Sequence, residues 1–145
     1  MALIMHICRA YSKDEESLKD LVQEVTLQLW RSHKSFKGNS QLSTWAYRVT
    51  LNVCLSHAKK IKRKPETVSL EWGASIREED DVEKEQIERL YQGIRLLKES
   101  DRAIVLLYLE DKSYKEMSEI LGITVSNVGV KVNRLKDKLK QMING

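Results

Sequence analysis

Apolar residues in this chain recur at steps of three and four, and the single proline among its 145 residues, Pro65, falls between two such series. Proline lacks a backbone N–H and disfavours helical geometry in the residue before it. One helical series therefore ends near residue 64, and a second starts beyond it. No run alternates apolar with polar residues in the manner of a half-buried strand. These features predict an all-α protein: two small helical domains joined by a flexible linker, the C-terminal one containing a helix-turn-helix. The expected boundaries are 1–64 for the first domain, 65–82 for the linker and 83–145 for the second domain.

Charge supports the division. "KKIKRK" (Lys59 to Lys64) is almost wholly basic, whereas "REEDDVEKE" (Arg77 to Glu85) is mostly acidic. Opposite blocks this close suit a solvated connector between differently charged modules. The net charge of +4 hints at an anionic partner, but only mildly.

In the first domain, Leu3, Ile4, Ile7 and Cys8 follow helical spacing. From Ser17, which marks a helix start, Leu18, Leu21, Val22, Val25, Leu29 and Trp30 form one apolar stripe. Asp20, Gln23, Glu24, Leu27 and Gln28 lie off it. "FKGNSQ" (Phe36 to Gln41) stops the helix. A third helix runs from about Ser43 to Lys62. Its inner stripe is Trp45, Ala46, Val49 and Val53, while Arg48, Asn52, Ser56 and Lys59 make a polar, basic face.

In the second domain, periodicity resumes at Val82 with Ile87, Leu90, Tyr91, Ile94 and Leu97. Ser100 is positioned to cap a helix carrying Ile104, Val105, Leu107 and Tyr108. Ser113 and Glu116 have capping-box spacing. Met117, Ile120 and Leu121 then face inward, and Gly122 stands where a left-handed stop is needed. Thr124 caps a last helix that buries Val128, Val132, Leu135, Leu139 and Met142. A short helix, a glycine turn and a longer helix compose a helix-turn-helix, whose second helix lies in the major groove. A plain helical hairpin with a solvated basic face is the competing reading of this segment.

Several motifs stand together in order: "DLVQEV", the F-x-G-x-S run from Phe36 to Ser40, "TWAYR" followed by Asn52, and the helix-turn-helix. The stretch Asp20 to Lys60 resembles the polymerase-binding and promoter-melting domain of bacterial sigma factors. The stretch Ser113 to Leu139 resembles their C-terminal domain. The order, the separation and the lack of a middle domain resemble the extracytoplasmic-function subfamily. The resemblance implies a subunit that binds core RNA polymerase and directs promoter-specific initiation. Its expected partners are core polymerase, promoter DNA and an anti-sigma factor.

By that resemblance, Asp20, Gln23, Glu24 and Leu27 are the polymerase-binding residues. Asn39, Ser40, Gln41, Arg48, Asn52, Lys59 and Lys60 are the minus-ten readers, with Lys62 and Arg63 as further phosphate contacts. Trp45 and Tyr47 are candidates to stack on bases, although Trp45 also sits on the core stripe. Thr124, Asn127, Val130, Lys131, Asn133 and Arg134 are the minus-thirty-five readers. Asn suits adenine, and Arg or Lys suits guanine or phosphate. Gly129 and Val130 depart from the family's usual basic residue and serine: either the glycine lets the helix approach DNA more closely and Val130 touches a thymine methyl, or the contact is absent. The acidic linker would either thread the polymerase cleft in place of nucleic acid, as the resemblance implies, or serve as a disordered spacer that keeps the domains soluble.

Other functions have less support. His6, His33 and His57 are scattered, and Cys54 with His57 makes only two ligands, so no catalytic, cofactor or metal site is expected. Two cysteines do not suggest a disulfide framework. The segment "MALIMHICRA" has no basic leader and is too short to span a bilayer, so a cytoplasmic protein without membrane insertion is expected. A stand-alone helix-turn-helix regulator is the alternative function. It would need a ligand pocket or a phospho-acceptor motif.

Overall fold

The computed structural model describes residues 2–36, 38, 41–62 and 81–144. Among them are seven α-helices and no strand: α1 Ala2–Ala10, α2 Glu15–Ser32, α3 Leu42–Lys62, α4 Asp81–Arg95, α5 Glu99–Leu109, α6 Tyr114–Leu121 and α7 Val125–Asn144. A single turn of 3-10 helix, His33–Ser35, follows α2. Asn39, Ser40, Arg63, Pro65 and nearly all of the expected linker lie outside the described residues.

Local chemistry explains most helix ends. α2 starts two residues earlier than expected. Asp14, not Ser17, is its N-cap, and Ser17 completes the reciprocal box from the third helical position. The Asp14 carboxylate accepts from the Ser17 amide at 2.7 Å. A carboxylate at this end also complements the helix dipole, which favours Asp over Ser as the cap. α5 likewise begins before Ser100, with Lys98 at the cap position and no side-chain bond there. Ser113 caps α6 as expected, accepting from the Glu116 amide at 3.1 Å. Gly122 ends α6 at φ 71°, a conformation without steric cost only for glycine, and its N–H bonds back to the Ser118 carbonyl.

In the N-terminal half, α1, α2 and α3 pack together, with Leu3, Ile7, Leu21, Val25, Leu51 and Cys54 inside. In the C-terminal half, α4 to α7 enclose Ile94, Leu107, Met117, Val128, Val132 and Leu135. The halves also pack on each other, α1 against α4 and α5, and α3 against α5 and α6. Their buried residues join into one continuous apolar cluster. Each fully buried aliphatic side chain contributes about 1.5–3 kcal/mol, so the seam between halves is a substantial part of the stability.

Two expected core assignments do not hold. Trp30 was placed on the inner stripe of α2 but is 73% exposed. Adjacent helical residues point about 100° apart, so Leu29 and Trp30 cannot both sit on a narrow stripe. On α3, Trp45, Ala46, Val49 and Val53 are only half-buried. The deeply buried residues are Thr44, Thr50, Leu51, Cys54 and Ala58. α3 is wedged between α2 on one side and α1 and α6 on the other, which turns its inner face away from the stripe visible in sequence.

Candidate nucleic-acid interface

The outward face of α2 carries Asp20, Gln23, Glu24 and Leu27, all exposed. Trp30 stands one turn beyond Leu27 on the same side, a large apolar group in solvent that the sequence reading had missed. The polar face of α3 presents Arg48, Asn52, Lys59 and Lys60, also exposed. The two faces meet at an open cleft of about 470 Å³, with Asp20, Glu24 and Gln28 on the α2 wall and Asn52, His57 and Lys60 on the α3 wall. Asp20 and Glu24, expected to dock polymerase, thus share one groove with Asn52 and Lys60, expected to read DNA, whereas Gln23, Leu27, Arg48 and Lys59 are not part of its lining.

His57 is the titratable group most affected by this groove. Partial burial lowers its pKa, the Lys60 charge lowers it further, and Asp20 partly counteracts both. Its Nε2 is buried with no protein hydrogen-bond partner. A neutral imidazole is the favoured form there. Cys54 lies one turn away but points into the core, fully buried beside Cys8; both thiols are free. Mutual hydrogen bonding raises the Cys54 pKa and lowers that of Cys8.

At the start of α3, the exposed Gln41 accepts from the Trp45 amide through its backbone carbonyl, at 3.1 Å. The rings of Phe36 and Trp45 lie 5.4 Å apart, so Trp45 packs on the residue that opens the reader loop. Tyr47 lies under the Lys112 ammonium at 5.2 Å. Arg48 donates from Nε to the Glu119 carbonyl of α6 at 2.7 Å. Of the expected minus-ten readers, Gln41, Asn52, Lys59 and Lys60 face solvent with no such tether to the other half, whereas Arg48 is held against α6.

The helix-turn-helix is α6 and α7. Thr124 spends its hydroxyl as the cap of α7, accepting from the Asn127 amide at 3.1 Å. Asn127, Val130, Asn133 and Arg134 project outward, and Lys131 is half-buried. Val130 is 68% exposed, an apolar contact suited to a thymine methyl. Gly129 does not open the helix toward DNA. A Cβ there would meet the Tyr114 ring of α6 at 3.5 Å, an ordinary packing distance, so this position faces the interior of the motif. Arg134 has Nη2 3.7 Å from Oδ1 of the buried Asp101, with most of the guanidinium still in solvent. Arg102 was not singled out from the sequence. It donates to the carbonyls of Leu97, Arg95 and Ala10 and so ties the α4–α5 turn to α1. Burial holds its pKa below the usual arginine value.

Both halves of the chain match known family models. Residues 1–64 match the family model Sigma-70 region 2. Residues 87–139 match Sigma-70, region 4. The chain belongs to the sigma-70 family. Within it, the chain is similar to sigma factors of the extracytoplasmic-function type. This sigma factor is 29% identical over 140 residues to the ECF RNA polymerase sigma-E factor of Haemophilus influenzae, covering 87% of this chain and 74% of that one. It is 28% identical over 141 residues to the RNA polymerase sigma factor HrpL of Pseudomonas syringae pv. syringae, covering 91% and 76%. Its fold is similar to that of the sigma factor RpoE of Bartonella quintana, solved in complex with the anti-sigma factor NepR. The TM-score is 0.74 at 18% identity, over 97% of this chain and 89% of that one. It is also similar to CnrH, solved in complex with the cytosolic domain of CnrY, with a TM-score of 0.70 at 17% identity. The sigma factor directs promoter-specific transcription. No helix among the described residues is long and apolar enough to cross a membrane.

Proposed function

We propose that the two modules, residues 1–64 and 83–145, divide the work of initiation. The outward face of α2 docks on core RNA polymerase. Leu27 and Trp30 form the apolar centre of that contact, and Asp20, Gln23 and Glu24 form its polar rim. Such an arrangement, with an aromatic anchor inside a polar surround, is what concentrates binding energy at protein interfaces.

The loop around Gly38 to Gln41 and the polar face of α3 read the minus-ten element. Asn52 supplies an amide for a base edge, and Lys59 and Lys60 hold phosphates. Asn39 and Ser40 serve the same reader. Extruding a base costs a few kcal/mol, which contacts in this groove offset. The first turns of α7 read the minus-thirty-five duplex through Asn127, Val130, Lys131, Asn133 and Arg134, with Thr124 fixing the start of the helix. An anti-sigma protein that covers these surfaces is the expected regulator. The chain works in the cytoplasm and carries out no catalytic step of its own.

One observation carries this reading: an exposed apolar and acidic α2 face, a basic α3 face and a helix-turn-helix stand in this order on one chain. Reconstitution with core polymerase on a library of promoter fragments tests it. Transcripts from a restricted set of fragments are expected; a pattern equal to that of core polymerase alone would reject it.

A further inference from the structure

Among the described residues, Asp101 is the one charged residue that is buried, at 6% exposed. It stands in the first turn of α5, where a carboxylate complements the helix dipole. The dipole alone does not account for the burial, because Glu99 in the same turn supplies that charge from a half-buried position. A carboxylate taken out of water is costly unless an opposite charge or a donor compensates it. The partner that Asp101 meets is Arg134 of α7, with Nη2 3.7 Å from Oδ1.

This pair is asymmetric. The Asp101 side chain is 9% exposed and that of Arg134 is 64% exposed. The carboxylate is therefore the fixed end, and the guanidinium reaches solvent from the face of α7 that also carries Asn127 and Val130. α5 and α7 pack together, with Ile104 and Leu107 of α5 and Val128, Val132 and Leu135 of α7 buried, so the backbones that carry the two residues keep a set spacing. At 3.7 Å the contact is longer than a hydrogen bond, which leaves the guanidinium N–H groups for DNA. An arginine on an open surface samples many rotamers and loses them on binding. One steered by a buried carboxylate has given up part of that freedom beforehand.

We propose that Asp101 is a positioning residue for the minus-thirty-five contact: it holds the Arg134 guanidinium in register with the DNA backbone there and so sharpens the preference for that element over other duplex. The inference rests on the minus-thirty-five reading of α7. Phosphate contacts fix register without carrying sequence information of their own. A restrained one favours only the register in which the base contacts of α7 are also made. On an unmatched duplex α7 sits out of register, and Arg134 is not free to follow the phosphates. The negative charge of Asp101 then opposes the non-specific attraction that basic residues supply.

The test uses polymerase reconstituted with the full chain and two promoter fragments that differ only in the minus-thirty-five segment. One is a fragment selected in the reconstitution described above, and the other has that segment scrambled. The readout is the ratio of the two affinities. Asp101→Asn keeps the shape of the side chain and removes its charge. It is expected to lower the ratio by about three- to tenfold, the range that pre-ordering one long side chain supplies, with the scrambled fragment bound at least as tightly as before. In an Arg134→Ala background the same change is expected to leave the ratio unaltered. If Asp101→Asn loses helicity, Asp101→Glu keeps the charge but displaces it by one methylene, and a smaller drop is expected in the same measurement. An unchanged ratio in a well-folded variant overturns the proposal. So does an equal loss of affinity for both fragments, which marks a purely structural role, and so does the same drop with and without Arg134. A wild type that shows no preference between the fragments would instead reject the minus-thirty-five reading itself, and this proposal with it.

Discussion

Ile7 offers a direct measure of how far the two halves depend on one core. It is fully buried on α1, the helix that packs against α2 and α3 on one side and α4 and α5 on the other. Ile7→Ala removes three carbons. At about 0.8 kcal/mol per buried methylene the transfer loss is about 2.4 kcal/mol. The cavity left behind raises the total to about 3 kcal/mol, within the range for large-to-small changes in cores. With a urea m-value of about 2 kcal/mol/M, the unfolding midpoint should fall by about 1.5 M. The assay is urea titration followed by two probes. Two of the three tryptophans, Trp30 and Trp45, lie in the N-terminal half and Trp72 lies outside the described residues, so in a Trp72→Phe background tryptophan fluorescence follows that half, whereas far-ultraviolet circular dichroism follows helices in both. A shared core requires the two curves to coincide and to shift together. A fluorescence transition that moves while much of the dichroism transition stays in place would refute the reasoning, because each half would then be folding on its own.

Four further outcomes are expected. His57 has a folded-state pKa below its ordinary 6.5, so the unfolded chain binds more protons in the window just below that value. Its contribution is therefore unchanged above about pH 7 and turns unfavourable as pH falls through 6.5. Thermal melts of His57→Gln should show a shallower loss of stability on acidification than wild type, and parallel curves would contradict this. Asp14→Ala removes the α2 cap and should cost about 1 kcal/mol in denaturant unfolding, with no change in the order of promoter preference. Asn52→Ala should impair promoter opening, read by permanganate footprinting, more than polymerase binding, read by fluorescence anisotropy; equal losses would remove Asn52 from the reader. Arg134→Ala should weaken minus-thirty-five binding and reduce its salt dependence by about one unit of slope, and an unchanged slope would exclude a phosphate contact.

Much of the fold was legible in the chain. Helix positions followed the three-four spacing because each helix buries one face. Gly122 was recognisable as a stop because its left-handed conformation restricts the residue type. The Ser113 cap was visible because its partner stands three residues on, inside the same local turn. Errors arose where two local signals competed or where a helix has more than one neighbour. Ser17 looked like a cap, but Asp14 took that role and Ser17 its reciprocal. Trp30 looked like core because it closes the apolar series of α2, yet its angular position puts it in solvent. Gly129 looked like an approach to DNA, and only the placement of Tyr114 shows what it faces.

The candidate site divides in the same way. That Asn52, Lys59 and Lys60 share a face of α3, and that Asn127, Val130 and Arg134 share a face of α7, are consequences of helical repeat and were fixed by order along the chain. That Asp20 and Glu24 look across a groove at Asn52 and Lys60, that Arg48 is tied to Glu119, and that Arg9 finds Glu88 were decided by packing. Those partners lie from about 30 to 80 positions apart, a distance over which periodicity carries no information. Helical spacing is a property of neighbouring residues; which faces meet depends on how several helices bury apolar surface at once, and only the folded chain settles that.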